Sequence, residues 1–154
     1  MKRITTLLLT VMLSLAALAQ NAEKLYKEGK ILYDKEKYTE AIAKLKPAAE
    51  QGHKKAQYRM GRIYQKGYGV PKDHAKAVYW YEKAAAQGHA KSQYRLAKCY
   101  MEAKGVREDK AKAKELLLKA VNDKEHGKDI LADIKKDAKS GDDDAKAMLK
   151  LIGK

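Results

Sequence analysis

The 154-residue sequence predicts an all-α fold, an α/α superhelical solenoid of antiparallel helix pairs. Three observations predict it. The chain repeats itself: about 15 of 36 positions are identical when residues 52–87 are laid over residues 88–123, and a period of that length is one helix–turn–helix unit. Within each period apolar residues recur at three- and four-residue steps, first in Ala56, Met60, Ile63 and Tyr64, then in Ala77, Trp80, Tyr81 and Ala84, giving one stripe per helix. Composition agrees. Charged residues make up 35%, hydrophobic residues 45%, and there are only two prolines, which suits solvated helices around a modest core and argues against a β-sandwich or a wholly disordered chain.

Residues 1–19 read as an export signal. Met1-Lys2-Arg3 is a short positive start, Ile4 to Leu18 is mostly apolar, and Ala17-Leu18-Ala19 supplies small residues where signal peptidase cuts, leaving Gln20 as the new N-terminus. The apolar stretch falls short of the roughly 20 residues that span a bilayer. Loss of Lys2 and Arg3 lowers the net charge from +14 to +12. No later segment is apolar enough to cross a membrane, so the mature chain is expected in the periplasm or outside the cell.

Residues 20–51 form a first helix pair. Leu25-Tyr26, Gly29 and Ile31-Leu32-Tyr33 parallel Tyr58, Gly61 and Ile63-Tyr64 at an offset of 32, whereas Ala41, Leu45 and Ala48-Ala49 parallel Ala77, Tyr81 and Ala84-Ala85 at an offset of 36. The loop inside this pair is therefore four residues shorter. Pro47 falls within its second helix, where it removes a donor and crowds the carbonyl of Ala43, so a kink is expected.

Residues 52–87 and 88–123 are the two full repeats. Gly67 or Gly69 can take the left-handed conformation that ends a helix, and Asp73 and Asp109 stand where a side chain accepts a backbone N–H at the next helix start. Gly61/Ala97 and Ala77/Ala113 leave room for the facing helix, so Gly61→Leu is expected to overpack it at a cost of about 1–3 kcal/mol. Residues 124–154 carry a weaker pattern: Gly127, a helix near 128–139, then Ala145, Met148, Leu149 and Ile152 on a short amphipathic helix. Solenoids need such atypical ends to shield the last apolar face.

Ala56-Gln57-Tyr58-Arg59-Met60-Gly61, then Tyr64, Gly67, Gly69-Val70-Pro71, Asp73, Ala77, Trp80-Tyr81, Lys83-Ala84-Ala85 and Gln87-Gly88, together resemble a near-complete Sel1-like repeat. Residues 89–122 resemble a second, diverged copy, with Ala97, Ala103, Arg107 and Leu116 in place of Gly, Gly, Pro and Trp. Residues 22–51 resemble the related tetratricopeptide type. The resemblance implies a non-enzymatic adaptor that holds a protein or peptide on its concave face. Some secreted relatives carry a disulfide in each repeat; a single cysteine, Cys99, excludes that here.

Candidate partner-binding residues follow from placement. Lys55, Tyr58, Arg59, Arg62, Lys91, Tyr94, Arg95 and Lys98 all lie on first helices, which line the concave face in such solenoids, and they combine cations with flat aromatic anchors. An acidic partner segment is the natural match. The net charge also allows an alternative, binding to an anionic envelope polymer or lipid surface; export makes nucleic acid a poor candidate.

No residue set points to an enzyme, a cofactor or a metal. There is no phosphate loop, nucleophile elbow or His-Glu-x-x-His helix. Cys99 takes the place of Ile63 on the apolar stripe and reads as buried packing. His53 and His89 recur one repeat apart, just past the helix-ending glycine, where a structural role at the turn outweighs metal binding. Asp142-Asp143-Asp144 opens a helix whose dipole it complements.

Overall fold

Each of the predicted pairs forms a helical hairpin, and the hairpins stack side by side. The computed structural model describes residues 2–154; among them are eight helices and no strand. The pairs are α1 (Lys2–Asp34) with α2 (Tyr38–Glu50), α3 (Lys54–Lys66) with α4 (His74–Ala86), α5 (Ala90–Glu102) with α6 (Lys110–Val121), and α7 (Gly127–Lys139) with α8 (Asp143–Ile152). The loop inside the first pair spans residues 35–37 against 67–73 in the next, as the changed offset predicts. α2 runs through Pro47 and continues to Glu50.

The predicted leader spans residues 1–19, of which Met1 lies outside the described residues. Leu8, Val11, Met12, Leu13, Leu15 and Leu18 on α1 are each half or more exposed, and burial begins at Ala22. Among the described residues, it is the C-terminal half of α1 that packs on the body of the protein. Among the described residues, no helix is long and apolar enough to cross a membrane.

Two apolar clusters hold the stack together. One joins Tyr33, Ala41, Leu45, Ala48, Ala56, Met60, Ile63 and Trp80; the other runs from Ala77, Val78 and Tyr81 through Leu96, Cys99, Leu117 and Ile134 to Met148 and Ile152. Helix α4 serves both, with Trp80 in the first cluster and Tyr81 in the second. A repeat thus closes its core only against its neighbours, as expected for units too small to bury an apolar face alone. The α7–α8 hairpin joins the second cluster by burying Ile130, Ile134, Ala145, Met148 and Ile152. Gly127 begins α7 and does not merely precede it; a Cβ there would strike the Val121 carbonyl.

The turns follow one chemical rule per position. Asp73 and Asp109 each accept a backbone N–H, from Lys76 and Lys112, at 2.9 Å, and Asp142 caps α8 by accepting from Ala145 at 2.9 Å. Each cap satisfies a backbone donor that the helix start would otherwise leave unpaired. Gly67 closes α3 at φ +75°. In the second repeat Ala103 closes α5 in the same left-handed conformation, at φ +50°, although it carries a Cβ. The loop geometry therefore survives the loss of its glycine, at the cost of strain in an alanine. Gly69 and Gly105 let each long loop rest on the start of the preceding second helix, at Tyr38-Thr39 and at His74-Ala75.

Candidate functional site

The first helices of the four pairs share one face, and their local chemistry is repeated along it. His53 and His89 are the N-caps of α3 and α5. The Nδ1 of His53 accepts from the Ala56 N–H at 3.2 Å, and that of His89 from the Ser92 N–H at 3.3 Å. Each imidazole is also packed on a tyrosine of the preceding first helix: Tyr26 stacks on His53 at 4.4 Å, and Tyr58 lies 4.9 Å from His89. Glu23 meets the other side of His53 at 2.8 Å. The two histidines are helix caps and aromatic spacers, and among the described residues no group of three or more His, Cys, Asp or Glu is placed to hold a metal.

His89 is almost fully enclosed, at 8% exposure. Burial, with the positive charges of Lys54 and His126 nearby, lowers its imidazole to about 4. It is therefore neutral at physiological pH, as an N-cap acceptor must be. Cys99 is buried in the apolar stripe, and burial raises its thiol to about 11, so it is protonated and unreactive at neutral pH.

Glutamines stitch one repeat to the next. Gln57 Nε2 donates to the Ala49 carbonyl at 3.1 Å, and Gln93 Nε2 donates to the Ala85 carbonyl at 3.4 Å. Each adds a side-chain donor to a carbonyl in the last turn of the preceding second helix that also accepts the N–H of Gly52 or Gly88. Gln87 Nε2 adds donations to Gly52 O at 2.9 Å and Gln57 Oε1 at 2.8 Å. Sequence reasoning gave these positions no role, although Gln57 and Gln93 are identical in both repeats.

The eight candidate residues divide by what they touch. Arg59 is engaged: its Nη1 donates to Asp34 Oδ1 at 3.3 Å and its guanidinium lies 4.7 Å from the Tyr33 ring centre, so it fastens α3 to α1. Lys98 pairs with Glu102 at 3.5 Å, and that carboxylate also takes Lys104 at 2.6 Å. Arg62 is half-buried near the phenols of Tyr33, Tyr58, Tyr68 and Tyr81. By contrast, among the described residues no carboxylate comes within ion-pair distance of Lys55, Arg62, Lys91 or Arg95; the pairs that form on these helices are those of Arg59 and Lys98.

These side chains border a trough. Tyr58, Lys91, Tyr94 and Arg95 line a cavity of about 370 Å³ closed on its far side by Asp129, Ile130 and Asp133 of α7. Tyr58 and Lys91 continue into a smaller one of about 230 Å³ with Tyr26, Lys55, Arg59 and His89. Arg95 also borders a third, of about 470 Å³, with Lys66, Lys72 and Lys98. Tyr94 is half-buried; burial raises its phenol against the pull of Lys98 and Arg95, with Asp137 and Asp133 adding to the rise. The acids of α7 were missed in the sequence because α7 lies outside the repeat, yet Asp129, Asp133 and Asp137 stand four apart, on one helix face.

A stack of two-helix units agrees with the comparisons. The Sel1 repeat family model matches residues 54–89 and 90–123. Among solved structures, the chain is similar to a Sel1 repeat protein from Oxalobacter formigenes, with 30% identity and a TM-score of 0.63 over 77% of this chain and 96% of that one. It is also similar to a protective antigen present in uropathogenic Escherichia coli strains that displays an SLR fold, with 28% identity and a TM-score of 0.65 over 90% of this chain and 32% of that one. The chain spans about a third of that antigen. Comparison with curated proteins found no match. The chain belongs to the Sel1 repeat family, whose members are non-catalytic scaffolds for protein interaction.

Proposed function

We propose that this protein is a non-enzymatic interaction scaffold of the bacterial cell envelope, exported with loss of residues 1–19, whose trough holds an acidic segment of a partner protein. The observation that carries the reading is the set of unpaired cations, Lys55, Lys91 and Arg95, beside Tyr58 and Tyr94 along the first helices. Half-exposed cations without a carboxylate keep their pairing capacity for a ligand, and tyrosines supply contact area at low entropic cost. Export is supported by the apolar row Leu8, Val11, Met12, Leu13, Leu15 and Leu18 on α1, each half or more exposed.

Photo-crosslinking in the intact envelope tests the trough. A photoreactive residue in place of Lys91 should trap a partner protein that one in place of Lys114, on the exposed side of α6, does not, and Arg95→Glu should abolish the adduct. Equal trapping at both positions would remove the trough from the reading. N-terminal sequencing of the exported form should begin at Gln20; an intact Met1 would refute cleavage.

The +12 charge of the processed chain favours a second reading, attachment to an anionic envelope polymer or lipid surface. Such attachment would fail between low and moderate salt, because exposed charges are screened over about 8 Å at physiological ionic strength.

A further inference from the structure

The trough carries both signs of charge on opposite walls of one cavity. Lys91 and Arg95 of α5 stand on one side, and Asp129 and Asp133 of α7 on the other, with Tyr58 and Tyr94 beside them. Asp129 and Asp133 are exposed. Among the described residues neither forms an ion pair, with these cations or with any other; α7 and α5 hold the two sets apart across a space of about 370 Å³. Lys98, by comparison, is already answered by Glu102 within its own helix.

Opposite charges that face one space without meeting leave both sets of hydrogen-bonding groups to solvent. A ligand of a single sign gains from one wall and is repelled by the other, whereas a ligand with both signs gains from each. We propose that the trough selects a dipolar peptide segment, whose acidic residues lie over Lys55, Lys91 and Arg95 and whose lysine or arginine reaches Asp129 and Asp133. This deepens the scaffold reading and rests on it: the trough must be the binding face, and α7 then sets the direction in which the segment lies. The α7–α8 hairpin thus also supplies the specificity of the site, because among the described residues no other first helix presents acids to this cavity.

Fluorescence anisotropy with the full chain and three labelled peptides of equal length tests this. One peptide carries an acidic block followed by two lysines, one only the acidic block, and one only the lysines. The dipolar peptide should bind about fivefold tighter than the acidic one at low salt, the scale of two partly exposed ion pairs, and the lysine peptide weakest of all. Asp129→Asn with Asp133→Asn should erase the fivefold preference while the acidic peptide binds as before or better. Asp129→Lys with Asp133→Lys should reverse the order of the two, with unchanged circular dichroism showing that α7 is intact. Equal binding of dipolar and acidic peptides to the parent chain, or a preference that survives both aspartate variants, would overturn the dipolar assignment and leave the acidic-segment reading standing. If Lys91→Gln with Arg95→Gln leaves every peptide unaffected, or no peptide binds, the trough itself is not the site and both readings fall.

Discussion

The two full repeats, α3–α4 and α5–α6, share a backbone plan and differ in how they fill it. In the first, Gly61 faces Tyr81, whose ring leaves no room for a Cβ at position 61. In the second, the aligned residues are Ala97 and Leu117, both in the second cluster, one size up on the first helix and one size down on the second. Tyr81 is wholly buried and donates its hydroxyl to Gln65 Oε1 at 2.9 Å; Leu117 is equally buried and needs no such partner. In that pair of positions side-chain volume is redistributed while its total stays matched, which is how close-packed interiors tolerate change; Trp80 becoming Leu116 and Ile63 becoming Cys99, by contrast, both lose volume.

The sharpest way to break this comparison is at the glycine. Gly61→Leu should destabilise the protein by about 3 kcal/mol, at the upper end of overpacking costs, because even the first added carbon collides with the Tyr81 ring. Gly61→Ala should cost less, and Gly61→Ala with Tyr81→Leu should recover part of the loss, since that pair copies the second repeat. A double-mutant cycle in urea gives the coupling; additive effects would show that the two positions do not exchange volume.

A smaller effect separates the two histidine caps. His89 has its imidazole held at about 4, below its ordinary value of 6.5. The unfolded chain therefore takes up that proton first, so the stability His89 contributes is whole above about pH 6.5 and is lost as pH falls toward 4. The loss is about 3 kcal/mol. His89→Asn, a cap that does not titrate, should flatten this part of the stability–pH curve between pH 7 and 4.5; an unaltered slope would mean that His89 is not the group responsible.

The smallest effect lies in the loops. Ala103→Gly should stabilise the chain by about 0.5–1 kcal/mol by relieving the left-handed alanine, and Gly67→Ala should cost about 1 kcal/mol. Opposite signs in thermal melts would show that both loops keep one geometry with different strain. Equal signs would show that the second loop relaxes.

What the sequence reveals follows the periodicity. A 36-residue offset exposes the two repeats, the aspartate caps and the shorter first loop, because these are local features written twice. The candidate site is only half legible. Lys91 and Arg95 stand out by recurrence, but Arg59 recurs with Arg95 and does something else, since its partner Asp34 belongs to α1 and has no counterpart at the same spacing in the second repeat. Asp129 and Asp133 belong to a helix that breaks the pattern, so only the packing of α7 against α5 brings them to the trough. Likewise Gln57 is visible as a recurring residue, but its acceptor, the Ala49 carbonyl, is a backbone atom that no alignment of the repeats displays.

The Tyr–His contacts have a consequence for building. Residues 52–87 contain a socket toward the preceding unit, His53 held by the Tyr26 ring, and a plug toward the following one, Tyr58 reaching the His89 imidazole. Such a segment is a self-matching cassette. Pasting it in tandem would lengthen the rod by one notch and widen the basic stretch, while Asp129 and Asp133 of α7 stay beside the last repeat.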